Sequence, residues 1–190
     1  MSPPSGPPPL RKTGLLLHAE GFFTHEGHPI RHARLRAVLE RSVRYLPDEA
    51  AFVVQLGRFR GQIEVEDAPF FVRAFRAEDG CVALSDESVE PLDPDTLEED
   101  SAGILYCRVK RDIRADVGGA DVGGGDRGDD AGLVARFTHA AQAHLLDALE
   151  IDDDGAWIQV GGRRHAVAPR ARAHAASERA PAGPSEESEA

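Results

Sequence analysis

The chain has 190 residues, 41% of them hydrophobic, and a formal net charge of −11 at pH 7. That length supports one sizeable core or two small ones, and the acidic balance runs against binding a phosphate backbone, so no nucleic-acid partner is expected. No stretch approaches the ~20 apolar residues that span a membrane, and Leu15-Leu16-Leu17 is too short for a secretory signal, so the expectation is no membrane and a cytoplasmic location.

Ser2 to Pro9 holds five prolines and a glycine, which forbid a helix or an interior strand, so residues 1–14 read as a disordered Pro-rich tail. Gly21 to Gly27 reads as a short strand closing in a turn. Pro29 then leads into a helix over His32 to Leu46, with Leu35, Val38, Leu39, Val43 and Leu46 on one buried face and Arg34, Arg41 and Arg44 outside it. Two strands follow, Ala51–Arg60 and Ile63–Val65, expected to turn at Gly61. In that register Arg60 faces Glu64 and Arg58 faces Glu66, with a bulge at Gly57. Phe70–Ala74, Cys81–Leu84 and Ile104–Val109 read as further strands. Cys81 and Cys107 lack Cys-x-x-Cys spacing and read as buried thiols. Residues 116–132 form a Gly/Asp run expected to be a floppy insertion, Leu133–Leu149 reads as the second helix, and Trp157–Val160 with Arg164–Val167 as a closing hairpin. From residue 169 to 190 there is almost nothing to bury, and disorder is expected.

One passage recurs 105 residues on. Leu46-Pro47-Asp48-Glu49-Ala50-Ala51-Phe52-Val53 with Gly57-Arg58 is echoed by Ile151-Asp152-Asp153-Asp154-Gly155-Ala156-Trp157-Ile158 with Gly162-Arg163. The expected architecture is therefore α+β: two repeated motifs, each a helix followed by an antiparallel hairpin, in a pseudo-symmetric arrangement. One repeat covers 15–95 and the other 96–168. Phe52 and Trp157 are expected as equivalent core aromatics.

Charge is segregated. Eleven basic and eight acidic residues precede Ala77, whereas Ala77 to Cys107 carries ten acidic residues and no Lys, Arg or His. This band reads as a solvated connection, with the arginines of the first helix as its internal counter-charge.

Candidate chemistry is sparse. His25, His28 and His32 lack a completing Cys or carboxylate spacing, and the decaying five-residue spacing of the Asp/Gly run does not fit stacked calcium turns. No metal and no cofactor is expected. Glu64, Glu66 and Asp67 cluster three carboxylates, which can divide acid and base roles if one is desolvated, but arginine partners would keep them ionised. There is no Gly-x-Ser-x-Gly elbow and no phosphate loop. Asp67-Ala68-Pro69-Phe70 reads as a strand end in which the Asp67 carboxylate accepts backbone N–H bonds and Phe70 enters the core.

Phe23-Thr24-His25-Glu26-Gly27-His28-Pro29-Ile30-Arg31 before a helix, and Ile63-Glu64-Val65-Glu66-Asp67-Ala68-Pro69-Phe70, resemble a bacterial family of uncharacterised proteins, the domain of unknown function numbered 1285. Tyr106 to Lys110, Ala135-Arg136-Phe137 and Gly155-Ala156-Trp157 follow in that family's order. His28 stands where a serine is usual, and Ser85-Asp86 where Thr-Asn is common. The resemblance implies an α+β fold with repeated motifs and a link to signal transduction, without an established activity or catalytic residues. Two functions are carried forward. The first is a non-enzymatic protein, a signal-transduction adaptor among the options, that binds a small ligand or protein partner through Arg34, Arg58, Arg60, Glu64, Glu66 and Asp67. The second is a hydrolase-like enzyme pairing the clustered carboxylates with a histidine from His25 to His32.

Overall fold

A computed structural model describes residues 9–113, 132–153, 155–160 and 163–170. The expectations for the first residues of the N-terminal tail, for nearly all of the Gly/Asp insertion and for the C-terminal tail beyond residue 170 lie outside these.

The chain opens with β1 (Arg11–Leu17), β2 (Phe23–His25) and β3 (His28–Pro29), so ordered structure begins four residues before the expected folded part at Leu15. Then come α1 (Ala33–Arg41), β4 (Val43–Leu46), β5 (Ala51–Leu56) and β6 (Phe59–Val65). These strands make a six-stranded sheet in the order β3-β2-β1-β6-β5-β4, with β1 and β6 parallel. A second sheet uses β7 (Phe70–Arg76), β8 (Cys81–Leu84), β9 (Val89–Pro91), β10 (Glu98–Glu99), β11 (Leu105–Val109) and β12 (Leu133–Phe137). After α2 (His139–Leu146), β13 (Leu149–Asp152), β14 (Gly155–Val160) and β15 (Arg163–Ala166) form a three-stranded sheet. Finally β16 (Ala168–Pro169) returns to the second sheet, whose order is β16-β10-β11-β12-β7-β8-β9. One contiguous apolar cluster links all three sheets, including Leu17, Phe23 and Val54 from the first, Phe70, Val72 and Phe137 from the second, and Ile158 from the third.

The expected α+β body of two repeated helix–hairpin motifs does not form. Strand dominates, with three sheets and only two α-helices, of nine and eight residues, among the described residues. The second sheet also draws strands from both sides of the 95/96 boundary, because β12 pairs with β7 in parallel. What the two similar passages share is one hairpin register: Leu46 faces Ala51, and Ile151 faces Ala156. The next hairpins differ, since Val53 faces Gln62 whereas Ile158 faces His165 rather than Val167. Phe52 and Trp157 are only half-buried, not core aromatics, and the Trp157 indole N–H donates to Asp152 at 2.9 Å.

Both expected helices are too long, for one reason. Short apolar runs do not distinguish a buried strand from a helix by periodicity. Ser42 ends α1, its hydroxyl donating to the Leu39 carbonyl at 3.1 Å, and Val43 and Tyr45 then alternate inward as a strand. Leu133–Phe137 is buried along nearly its whole length between β11 and β7. Thr138 makes the switch into α2: its hydroxyl donates to the Val72 carbonyl at 2.9 Å and accepts from the Ala141 N–H at 3.3 Å.

The β5–β6 hairpin also corrects the sequence register. It turns at Gly57-Arg58, with Leu56 facing Phe59 and Gln55 facing Arg60. Gly57 sits at φ 58, as a two-residue hairpin loop requires of its first position, and it is not a bulge. Gly61 lies inside β6, where a Cβ would meet Thr13 Cγ2 at 2.4 Å, so glycine there allows β1 to approach. The expected Arg60–Glu64 and Arg58–Glu66 pairs are therefore not made.

The acidic band is not a solvated connection. It contributes β8, β9, β10 and most of β11 to the second sheet. Part of its counter-charge does come from the first helix, through Arg41 to Glu87 at 3.2 Å. No helix of the described residues is long and apolar enough to cross a membrane.

Candidate functional site

Of the six residues singled out in the sequence, Glu66 and Asp67 each come together with several other polar side chains. Arg34 lies exposed on α1 and Glu64 exposed on β6, opposite Leu16 of β1. Arg58 is exposed at the hairpin turn and Arg60 pairs with Glu49. Arg58 and Arg60 line a shallow hollow of about 430 Å³ with Pro47, Glu49 and Gln55, far along the hairpin from Asp67.

Glu66 and Asp67 occupy the link from the first sheet to the second and point their carboxylates to different partners. The Glu66 carboxylate accepts from the Ala19 N–H at 2.9 Å and lies 3.1 Å from His18 Nδ1. His18 Nε2 lies 3.1 Å from the hydroxyl of buried Thr24, and the His18 ring stacks on Phe22 with centroids 4.3 Å apart. Asp67 accepts from the Tyr106 hydroxyl at 2.9 Å, with Arg170 at 3.5 Å and Arg136 at 4.0 Å. The Arg170 guanidinium lies over the Tyr106 ring, 3.6 Å from its centroid. Burial, together with the neighbouring Asp67 charge, pushes the Tyr106 phenol well above its ordinary value. The expected backbone N–H bonds to the Asp67 carboxylate are replaced by this tyrosine and arginine clamp. Pro69 and Phe70 do turn into the core, Phe70 being 2% exposed.

A second constellation sits at the seam between the two large sheets and was not legible in the sequence. Arg44 and Tyr45 of β4, Phe70 of β7, Asp86, Glu87 and Ser88 of the β8–β9 turn, and Lys110 and Ile113 after β11 line a cleft of about 390 Å³. Lys110 is held at φ 54, and its ammonium reaches Glu90 at 2.6 Å, the Ser88 hydroxyl at 2.6 Å and Asp86 at 3.0 Å. The same ammonium stands 5.5 Å from the Phe70 ring centroid. Burial opposes ionisation of Asp86, but hydrogen bonds from Ser88 and Lys110 outweigh it and hold the carboxyl below its usual range. The one sequence signal was indirect: Arg108, Lys110 and Arg111 follow immediately on a band with no cation.

His25 and His28 face each other as exposed partners in β2 and β3. His32 caps α1, its ring accepting from the Leu35 N–H at 3.3 Å. Among the described residues, none of the three meets a carboxylate. Cys81 and Cys107 are free thiols, and burial pushes the Cys107 thiol up to about 12.

In backbone course the molecule is similar to a solved DUF1285 family protein from Silicibacter pomeroyi, with a TM-score of 0.52 and 16% identity over 86% of this chain and 88% of that one. The fold is DUF1285-like. A DUF1285 family protein from Shewanella baltica aligns over 71% of this chain and 91% of its own at 13% identity, with a TM-score of 0.44. No family model and no curated protein matches the sequence. At such identity the DUF1285-like character rests on the course of the chain, and no activity follows from it.

Proposed function

We propose that this protein is a non-enzymatic binding protein whose ligand site is the cleft between the two large sheets. The observation that carries the reading is the lining of that cleft: Ile113 and the edge of Tyr45 supply apolar surface, and Arg44 stands half-exposed at its rim. There Nη1 donates to the Arg41 and Val43 carbonyls and lies 4.0 Å from Asp86, while the rest of the guanidinium faces the opening. Convergent polar groups beside apolar surface in a concave site are a feature of small-ligand pockets, and here Arg44, Asp86, Glu87, Ser88 and Lys110 supply the polar part. A small amphipathic anion is the ligand this lining suits, its charged end at Arg44 and its apolar part against Ile113 and the exposed edge of Tyr45. Lys110 is already neutralised by Asp86 and Glu90, so its role is to brace the cleft wall. Both cysteines are free, which fits the reducing cytoplasm as the setting. As a signal-transduction adaptor, the protein would report occupancy of this cleft to a partner.

The hydrolase-like alternative draws support from His18 and Glu66, 3.1 Å apart. Neither residue lines the seam cleft, and Asp67 is committed to Tyr106 and two arginines. These observations favour binding. Native mass spectrometry of protein purified from its own host tests it. A retained small-molecule adduct that disappears in Tyr45→Ala and Arg44→Ala, but survives in Glu66→Gln, supports the reading. An adduct indifferent to the cleft variants, or turnover abolished by Glu66→Gln, overturns it.

A further inference from the structure

We infer that His18, Glu20 and Glu66 form a binding site for a divalent transition metal of the zinc class. The donor atoms of these three side chains all lie within 4.8 Å of one another. They come from two separate segments, the turn between β1 and β2 and the link between β6 and β7. One imidazole with two carboxylates is a donor set that suits zinc, which in open sites takes three protein ligands and leaves a position for water.

The surroundings of His18 are built as a ligand's would be. Its ring is fixed by stacking on Phe22, and Nε2 faces the hydroxyl of buried Thr24 at 3.1 Å. A metal-binding histidine donates its second ring N–H to an oxygen in this way, which sets the tautomer and leaves the other nitrogen as a lone pair. Here that other nitrogen is Nδ1, which faces the Glu66 carboxylate at 3.1 Å. With the lone pair on Nδ1, two acceptors stand against each other, and a cation between them resolves the contact. The separation is close to what two metal bonds of about 2.0–2.2 Å span. Glu66 is itself anchored by the Ala19 N–H at 2.9 Å. Glu20 is exposed and, among the described residues, makes no hydrogen bond or ion pair, so its carboxylate is free to close the third position. The competing account is a neutral imidazole that donates from Nδ1 to Glu66 and accepts from Thr24, in which Glu20 has no part.

Glu20 therefore decides between the two. Calorimetric titration of the full chain with zinc alone should show one site, and cobalt in its place should give the visible absorption of a low-coordinate N/O site. Glu20→Gln, which breaks no hydrogen bond or ion pair among the described residues, should weaken zinc binding at least tenfold with an unchanged circular dichroism spectrum. His18→Ala should weaken it further, and zinc should raise the melting temperature of wild type but not of Glu20→Gln. Zinc affinity unaltered by Glu20→Gln, or no zinc binding by wild type, would overturn the inference. Binding lost only on replacing His25, His28 or His32 would also overturn it, by placing the metal on the exposed histidines.

Discussion

Replacing Asp67 by alanine removes the carboxylate that gathers Tyr106, Arg136 and Arg170. The Tyr106 hydroxyl donates to it at 2.9 Å, and a hydrogen bond to a charged group contributes about 1.5–3 kcal/mol. The two arginines are 14% and 8% exposed, and Arg170 Nη1 already lies buried with no partner among the described residues. Breaking a fully buried ion pair from one side costs about 3–5 kcal/mol. Asp67 is 22% exposed and the arginine contacts are long, so water recovers part of that, and the expected loss is about 2–4 kcal/mol. Asp67→Asn keeps an acceptor for Tyr106 but not the charge, and should fall between wild type and Asp67→Ala. Guanidinium unfolding of Asp67→Ala, Tyr106→Phe and the double variant provides the measurement. A coupling of at least about 1 kcal/mol between the two sites is expected. If Asp67→Ala unfolds within about 0.5 kcal/mol of wild type, as an ordinary surface substitution does, the clamp does not stabilise the fold and the reasoning is wrong.

Gly61→Ala should destabilise by about 1–3 kcal/mol, as overpacking does, because the new Cβ meets Thr13 Cγ2 at 2.4 Å. Adding Thr13→Ser, which deletes that methyl and keeps the hydroxyl bond to the Gln62 carbonyl, should recover part of the loss in thermal melts; no recovery means the Phe59 ring, at 2.8 Å, is the main obstacle. Because the Asp86 carboxyl is depressed in the fold, its contribution is fully present above the unfolded value of about 3.9 and is lost as pH falls through the lower folded one. Asp86→Asn should therefore flatten the acid limb of stability against pH, and an unchanged limb would remove Asp86 from the brace. Thiol labelling of the native protein should modify Cys81 readily and spare Cys107, which is 2% exposed with its thiol pushed up to about 12. Two equally fast thiols would show that β11 opens.

Much of the strand content was legible in the sequence, because Phe70 onward and the Tyr106 strand carry β-branched and aromatic residues, and Cys81–Leu84 is a short apolar run after the turn at Glu78-Asp79-Gly80. The entry of Phe70 into the core after Pro69 was legible too, since proline ends pairing whatever lies around it. The candidate site was only half legible. The sequence marked Glu66 and Asp67 as clustered carboxylates, but their partners His18, Tyr106, Arg136 and Arg170 lie 39 or more residues away along the chain. Sheet pairing brings them together: β1 beside β6 carries His18 to Glu66, Tyr106 faces Arg136 across β11 and β12, and β16 beside β10 leads into Arg170.

What the amino-acid order decides alone is local, as where Pro69 ends a strand; the loop at Gly57 and the cap at Thr138 were set only once β6 and β7 had their partners. Whether Leu133–Phe137 is strand or helix is not local, because a run buried on both sides satisfies either period until β7 and β11 offer it partners. The same holds for charge. The band from Ala77 to Cys107 looks like a solvated connection in isolation, and only the packing of the sheets places Lys110 among Asp86, Ser88 and Glu90. Tertiary structure chose the architecture because hydrogen-bonded neighbours and buried partners, which no window of sequence contains, outweigh propensities of a few tenths of a kcal/mol per residue.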